Sequence, residues 1–371
     1  MSRPIVLLHV GVPKTGTTYL QDRLWRNRDT AMRTGHLLYP GTSVDDHFHA
    51  AVHLQPHRYL DWVDPARAGT WERLLEEIRR WPGTSLISHE LLSTADDAVV
   101  ARVMGDLAGL EVHVVATVRD LGRQIPSVWQ ENVKNQHRAT LDDFVRGLQE
   151  LPREEQDPFW EFQDHVAILR TWGRDLPPAH VHVVTVPPPG APGGALWERF
   201  CGLLGVDPAL LDREVPPSNT ALSPTQTEML RRLNEHLQPQ DVGWDRYERA
   251  VKRHLIGDVL FGSTDRSGRI LTAEQTAWAA DQAEEMIDAV DAAGFDVVGD
   301  LADLRPATVR AGAAREPDAT EVLETTVATL AETLRRLPLP EEHRGVTGRA
   351  KSVLRRGYRR VVASGIRAHR G

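Results

Sequence analysis

The sequence predicts an α/β fold: a three-layer sandwich around a central parallel sheet, followed by a mainly helical C-terminal part. Three observations predict it. Short apolar runs recur through the first half of the chain, at 4–10, 85–88, 112–118 and 180–186, as strands covered on both faces require. Segments of helical periodicity separate them, which calls for crossover connections between parallel neighbours. A loop with two spaced glycines follows the first run directly and leads into a helix.

In chain order, the run 4–10 is a buried first strand; the loop spans 11–17, and a helix runs from about Thr18 to Asn27. Residues 36–65 read as irregular and histidine-rich, and a helix near 67–81 ends at "WPG". "SLIS" (85–88) and "VHVVATV" (112–118) are the next strands, and a helix is expected from about Leu121 to Asn135. Helical patterns at 141–150 and 159–174 precede the strand "HVHVVTV" (180–186), which three prolines close. The core sheet is thus expected within about 1–215, with a helical extension over about 216–302. In that extension "SPTQTEMLRRLNEHL" carries a Ser223 cap and Pro224 at the first helical position. Residues 303–319 read as a linker, and 320–371 as a short helix and a basic tail.

Apolar residues make up 41% of the 371 positions, enough for a sizeable core. A single cysteine, Cys201, excludes an internal disulfide framework and fits a reducing, cytoplasmic setting. No apolar run approaches the roughly 18 residues that a membrane span needs. From Arg344 onward there are nine Arg or Lys and no acids, so the rest of the chain carries −17, the total of −8 less the tail's +9. An acidic body argues against nucleic-acid binding.

The loop "GVPKTGT" is nearly a nucleotide-binding loop of the G-x-x-x-x-G-K-(S/T) kind, which makes the expected sandwich P-loop-like. Gly11 and Gly16 have the right separation, but Thr17 stands where the lysine belongs, and the lysine is Lys14, inside the loop. Such a loop turns backbone N–H groups and a helix N-terminus toward one point, where an anion can be held. Thr15, Thr17 and Thr18 offer hydroxyls, and Lys14 adds a full charge. Further along, "VVATVRDLGRQIPSVWQ" places Arg119 after a strand and Ser127 eight residues later, a fork and a hydroxyl suited to a monophosphate. "SLISHELLS" leaves His89 and Glu90 at a strand end, where neighbours face opposite ways and only one can serve as a base.

"PKTGTTYLQ" resembles the 5′-phosphosulfate loop of sulfotransferases that use 3′-phosphoadenosine 5′-phosphosulfate (PAPS). The resemblance is to bacterial members carrying H-x-G-x-x-K-T-G-T-T, "WQE" after the serine and a late "VVGDL", and it spans about residues 5–302. It implies a sulfuryl transfer to a hydroxyl or amine of a small-molecule, glycan or lipid acceptor, leaving 3′-phosphoadenosine 5′-phosphate, with no metal required. Lys14 would touch the oxygen bridging phosphate and sulfate, and Thr15, Gly16, Thr17 and Thr18 would hold the 5′-phosphate. Arg119 and Ser127 would grip the 3′-phosphate, and Glu90, ahead of His89, would take the acceptor's proton. The second grip on the 3′-phosphate found in one branch of the family has only "DRSGR" (265–269) as a weak counterpart. Two other readings stand beside this one: a nucleotide kinase or NTPase with a degenerate loop, for which Asp120 is the nearest magnesium ligand, and a non-catalytic nucleotide-binding protein.

Two further signals carry less weight. His47, His49, His53 and His57 include an i, i+4 pair, but no Glu or Cys completes a zinc pattern, so solvent exposure or the lining of an acceptor pocket is expected instead. The tail 344–371 sets a helical apolar stripe among arginines, which suits peripheral contact with an anionic membrane surface or an acidic partner.

Overall fold

Six parallel strands in the order β2-β3-β1-β4-β5-β6 organise the chain. The structure is a computed structural model describing residues 3–151, 158–215, 221–261, 268–309 and 315–336. The first half runs β1 (Ile5–His9), α1 (Thr17–Thr34), β2 (Leu37–Leu38), α2 (Asp46–Leu54), α3 (Thr70–Arg80), β3 (Thr84–Ser88), α4 (Asp97–Asp106) and β4 (Glu111–Val118). Then follow α5 (Leu121–Lys134), α6 (Leu141–Glu150), α7 (Phe159–Gln163), α8 (His165–Gly173), β5 (Val181–Thr185) and α9 (Ala195–Leu204). The C-terminal part holds α10 (Pro224–His236), α11 (Trp244–Tyr247), a π-helical segment (Glu248–Leu260), α12 (Ala273–Ala293), β6 (Asp296–Val298) and α13 (Ala319–Arg336).

The alternation of side chains along β1 explains the three layers. Val6, Leu8 and Val10 join a core with Leu74 and Ile78 of α3, Val99 and Val103 of α4, and Leu169 and Trp172 of α8. Leu7 faces the other way, into Leu20 and Leu24 of α1 and Trp197 and Phe200 of α9. Both faces are dry, so the strands read as unbroken apolar runs. A second core is purely helical. Leu121, Ile125, Trp129 and Val133 form an every-fourth-residue stripe on α5 that packs with Leu230 of α10, Val251 and Ala279. Farther along α12, Ile287 and Val290 enter the sheet's core, so this helix fastens the two together.

Four expected strands are found, and the differences have physical reasons. The first helix runs on to Thr34, and the segment 36–65 contains β2 and α2. The pattern at 159–174 splits into α7 and α8, because Asp164 stops one helix and caps the next by accepting from the Ala167 N–H. The sheet is not confined to 1–215: β6 returns from the helical part to pair with β5. Nor is 303–319 wholly a spacer, since Leu304 is buried and Arg305 pairs with Glu284. Val322 of α13 sits in the helical core. The basic tail, 344–371, lies outside the described residues. No helix among the described residues is long and apolar enough to cross a membrane.

Strand order also determines where a ligand can sit. The chain leaves β3 on one side of β1 and re-enters the sheet as β4 on the other. Such a reversal opens a crevice at the C-terminal ends of the strands. The loop after β1, the turn after β3 and the start of α5 after β4 all meet there.

Candidate active site

Two glycines shape the loop between β1 and α1. Gly11 has φ +118° and Gly16 φ +95°, and Lys14 itself is left-handed at φ +68°. A side chain at Gly16 would in addition come within 2.8 Å of Leu196. The Val12 N–H donates to the Thr117 carbonyl at 3.0 Å and the Thr117 N–H to the Gly11 carbonyl at 2.7 Å, tying the loop to β4. Gly16 is the N-cap of α1 and offers no side-chain cap, so the helix dipole and first-turn N–H groups face the crevice. The Thr18 side chain is exposed and Thr17 buried. The Thr15 hydroxyl is not available to a ligand, contrary to the sequence reading. It turns inward, donating to the Val12 carbonyl at 2.6 Å with Thr117 Oγ1 also 2.6 Å away.

Beneath the loop lies a wholly buried polar chain. His9 Nδ1 is 2.7 Å from Ser88 Oγ, and His9 Nε2 is 3.2 Å from Thr117 Oγ1. One polarity satisfies every group: Gln21 donates to Ser88, whose hydroxyl donates to His9 Nδ1; His9 Nε2–H donates to Thr117, which donates to Thr15, which donates to Val12. His9 is therefore a neutral imidazole, and burial pushes its pKa down to about 4. The chain ties the ends of β1, β3 and β4 to the loop's own carbonyl.

The turn Glu90–Thr94 after β3 separates the two candidate bases. His89 Nδ1 accepts from the Leu91 N–H at 3.2 Å, which leaves its proton on Nε2, and burial lowers its pKa. A neutral imidazole with its lone pair already used is a donor, not a base. Its ring lies 5.5 Å from Phe48, which in turn lies 6.0 Å from the half-exposed Trp62. Glu90 faces the loop instead; its backbone would lie 3.4 Å from a side chain placed at Gly11. Gln21 donates to Glu90 Oε2 at 3.2 Å. Burial opposes ionisation of Glu90, but His89, the residue's own N–H and Gln21 outweigh it and hold the carboxyl below its ordinary range.

On the other side, the start of α5 supports the loop. Gln124 donates to the Pro13 carbonyl at 2.6 Å and accepts from Arg119 Nε at 2.9 Å. The Arg119 guanidinium is half-buried, also donates to the Arg123 carbonyl, and has no carboxylate partner among the described residues. Burial, with Arg123 beside it, lowers its pKa to about 10. Ser127 sits in the second turn of α5, half-buried, with no hydrogen bond to Arg119 among the described residues, so the expected clamp is not assembled as a direct contact. Asp120 caps α5 and pairs with Arg123, which removes it as a ready magnesium ligand.

Sequence reading assigned no role to Glu131 or Lys134. Glu131 Oε2 lies 3.0 Å from Lys14 Nζ and 3.3 Å from Lys134 Nζ. Burial would raise its pKa, but Lys14 and then Lys134 draw it down to about 2. The available signal was helical spacing, since Glu131 stands one turn beyond Ser127. Of "DRSGR", only Gly268 and Arg269 are described. Arg269 donates to Glu316 at 2.6 Å and lies 5.9 Å from the Trp129 ring, away from the loop. Among the histidines of α2, His47 is structural: Nε2 donates to the Pro40 carbonyl at 2.9 Å and Nδ1 accepts from the Ser88 N–H.

No family model matches the chain, and no curated protein matches it in sequence. Two solved structures align with part of it. The sulfotransferase from Alicyclobacillus acidocaldarius aligns with 68% of this chain and 97% of its own at 15% identity and a TM-score of 0.39. The sulfotransferase domain from the curacin biosynthetic pathway aligns with 58% and 79% respectively, at 14% identity and a TM-score of 0.32.

Proposed function

We propose that this chain transfers a sulfuryl group from PAPS to a hydroxyl or amine. The observation that carries the proposal is the content of one crevice. A lysine crowns an uncapped helix N-terminus, a half-buried carboxylate faces it across Gly11, and a half-buried arginine with no carboxylate partner among the described residues lies beneath. Arg119 supports the donor's second phosphate, because a partly desolvated guanidinium with no ion-pair partner among the described residues gains from an anion brought to it. The Arg119 guanidinium has to turn toward Ser127 for the two to share that phosphate.

PAPS supplies the activated sulfuryl group when bound, and the chain's task is then positioning and charge stabilisation. Lys14 neutralises charge on the leaving phosphate, and Glu131 fixes where its ammonium rests. Glu90, ionised at neutral pH, takes the acceptor's proton, a contribution of about 10²–10⁴-fold. Thr17 and Thr18 and the first-turn N–H groups of α1 hold the 5′-phosphate. Phe48, His89 and Trp62 form an aromatic wall beside the turn after β3 that suits an acceptor.

The test is incubation of the full chain with PAPS and a pool of acceptors in EDTA, reading 3′-phosphoadenosine 5′-phosphate release and the mass gain of one SO₃. Transfer abolished in Lys14→Ala supports the proposal; transfer at full rate in that variant contradicts it.

A further inference from the structure

A second polar cluster lies at the opposite, N-terminal edge of the sheet, far from the loop. Glu111 and His113 begin β4, His180 ends the turn Pro178–His180 before β5, and His182 follows on β5. Register places His182 beside Val115 on β4 and beside Asp296 on β6. Glu111 and His113 alternate onto the same face as Val115, so four of these side chains share one side of the sheet.

The contacts form a line. His182 Nδ1 lies 2.7 Å from Asp296 Oδ2, His182 Nε2 lies 2.8 Å from His113 Nδ1, and His113 Nε2 lies 3.2 Å from Glu111 Oε1. Three hydrogen bonds need three N–H groups, and two neutral imidazoles have two. If His182 donates to Asp296 and His113 to His182, the His113 Nε2 lone pair faces a carboxylate. That juxtaposition calls for a cation at Nε2. The His180 ring stacks on His113 with centroids 4.1 Å apart, and ligand atoms of Glu111, His113 and His180 all lie within 4.8 Å of one another.

We propose that Glu111, His113 and His180 bind a divalent transition metal such as zinc. Two imidazoles and a carboxylate suit zinc, with bonds of about 2.0–2.2 Å, and a fourth position is left for water. The rest of the line is the support that such a ligand requires. His113 donates its other ring N–H to His182, which Asp296 holds in turn, fixing the tautomer that presents Nε2 to the metal. All three ligands are half-buried, so an ion can enter, and the His180 ring has to turn out of its stack on His113 to aim a ring nitrogen at the ion that His113 and Glu111 face. The site would pin the start of β4 to the turn before β5. It is independent of the crevice chemistry, and it departs from the sequence expectation, which was of no metal site in the chain.

Cobalt(II) titration of the EDTA-stripped full chain tests it, followed by visible absorption and equilibrium dialysis. About one equivalent per chain is expected, with the strong bands of a four-coordinate ion that zinc displaces. His180→Ala and Glu111→Gln should each weaken binding at least tenfold, and Asp296→Asn by about 10–100-fold, with circular dichroism of the metal-free proteins unchanged. No stoichiometric binding, or binding equally strong in both His180→Ala and Glu111→Gln, would overturn the proposal: the first leaves a proton as the missing cation, and the second places the ion elsewhere.

Discussion

Acid should unfold this protein through its buried neutral histidines, well before its carboxylates titrate. His9, His47 and His165 are wholly buried, and burial brings each from an ordinary 6.5 to about 4. The unfolded chain therefore binds more protons than the folded one between those values. Stability is fully present above about pH 6.5 and falls as the pH drops toward 4. At pH 5 each histidine costs about 2 kcal/mol relative to pH 7.5, or about 6 kcal/mol for the three. That is comparable with the whole stability of an ordinary domain. The carboxylates held low, Glu131 among them, lose their contribution only below the usual carboxylate range, so the two effects separate on the pH axis. Urea unfolding at pH 7.5 and pH 5, followed by tryptophan fluorescence, reads the difference. His165→Phe should remove about a third of the drop. Equal urea midpoints at the two pH values, or NMR titration of these three imidazoles near 6.5, would refute the reasoning.

Three further outcomes are expected of the crevice. Glu90→Gln should lower kcat by about 10²–10⁴-fold with little change in KM for the donor, whereas His89→Gln should keep most of kcat; the reverse ranking would make His89 the base. Glu90 should put no acid limb on kcat over the pH range in which the protein stays folded, because it is held low; a limb near neutrality with unchanged tryptophan fluorescence in a steady-state pH profile would contradict this. Gly16→Ala should cost about 1–3 kcal/mol in a melting experiment, because φ +95° and contact with Leu196 both oppose a side chain, and donor affinity should fall with it.

The sheet's centre was legible in the sequence because strands buried on both faces are unbroken apolar runs, as at 4–10 and 112–118. The loop was legible because its glycines and lysine are adjacent in the chain. Its support was not. His9 became a structural imidazole only when Ser88 and Thr117, 79 and 108 residues away, folded around it. The same distance hid the Lys14–Glu131 pair, 117 residues apart, and turned the Thr15 hydroxyl from expected ligand to internal strut. β2 and β6, of two and three residues, are too short for any periodicity. The metal candidate joins Glu111 and His113 at the start of β4 to His180 in the turn before β5, and only the pairing of β4 with β5 brings these distant segments together.

Calorimetry with 3′,5′-adenosine bisphosphate in EDTA reads whether the crevice takes a nucleotide with two separate phosphates. Binding is expected without magnesium, at least tenfold tighter than 5′-AMP because the second phosphate meets the Arg119 guanidinium, with that advantage lost in Arg119→Ala. Equal affinity for the two nucleotides, or binding only of Mg-ATP, would contradict it.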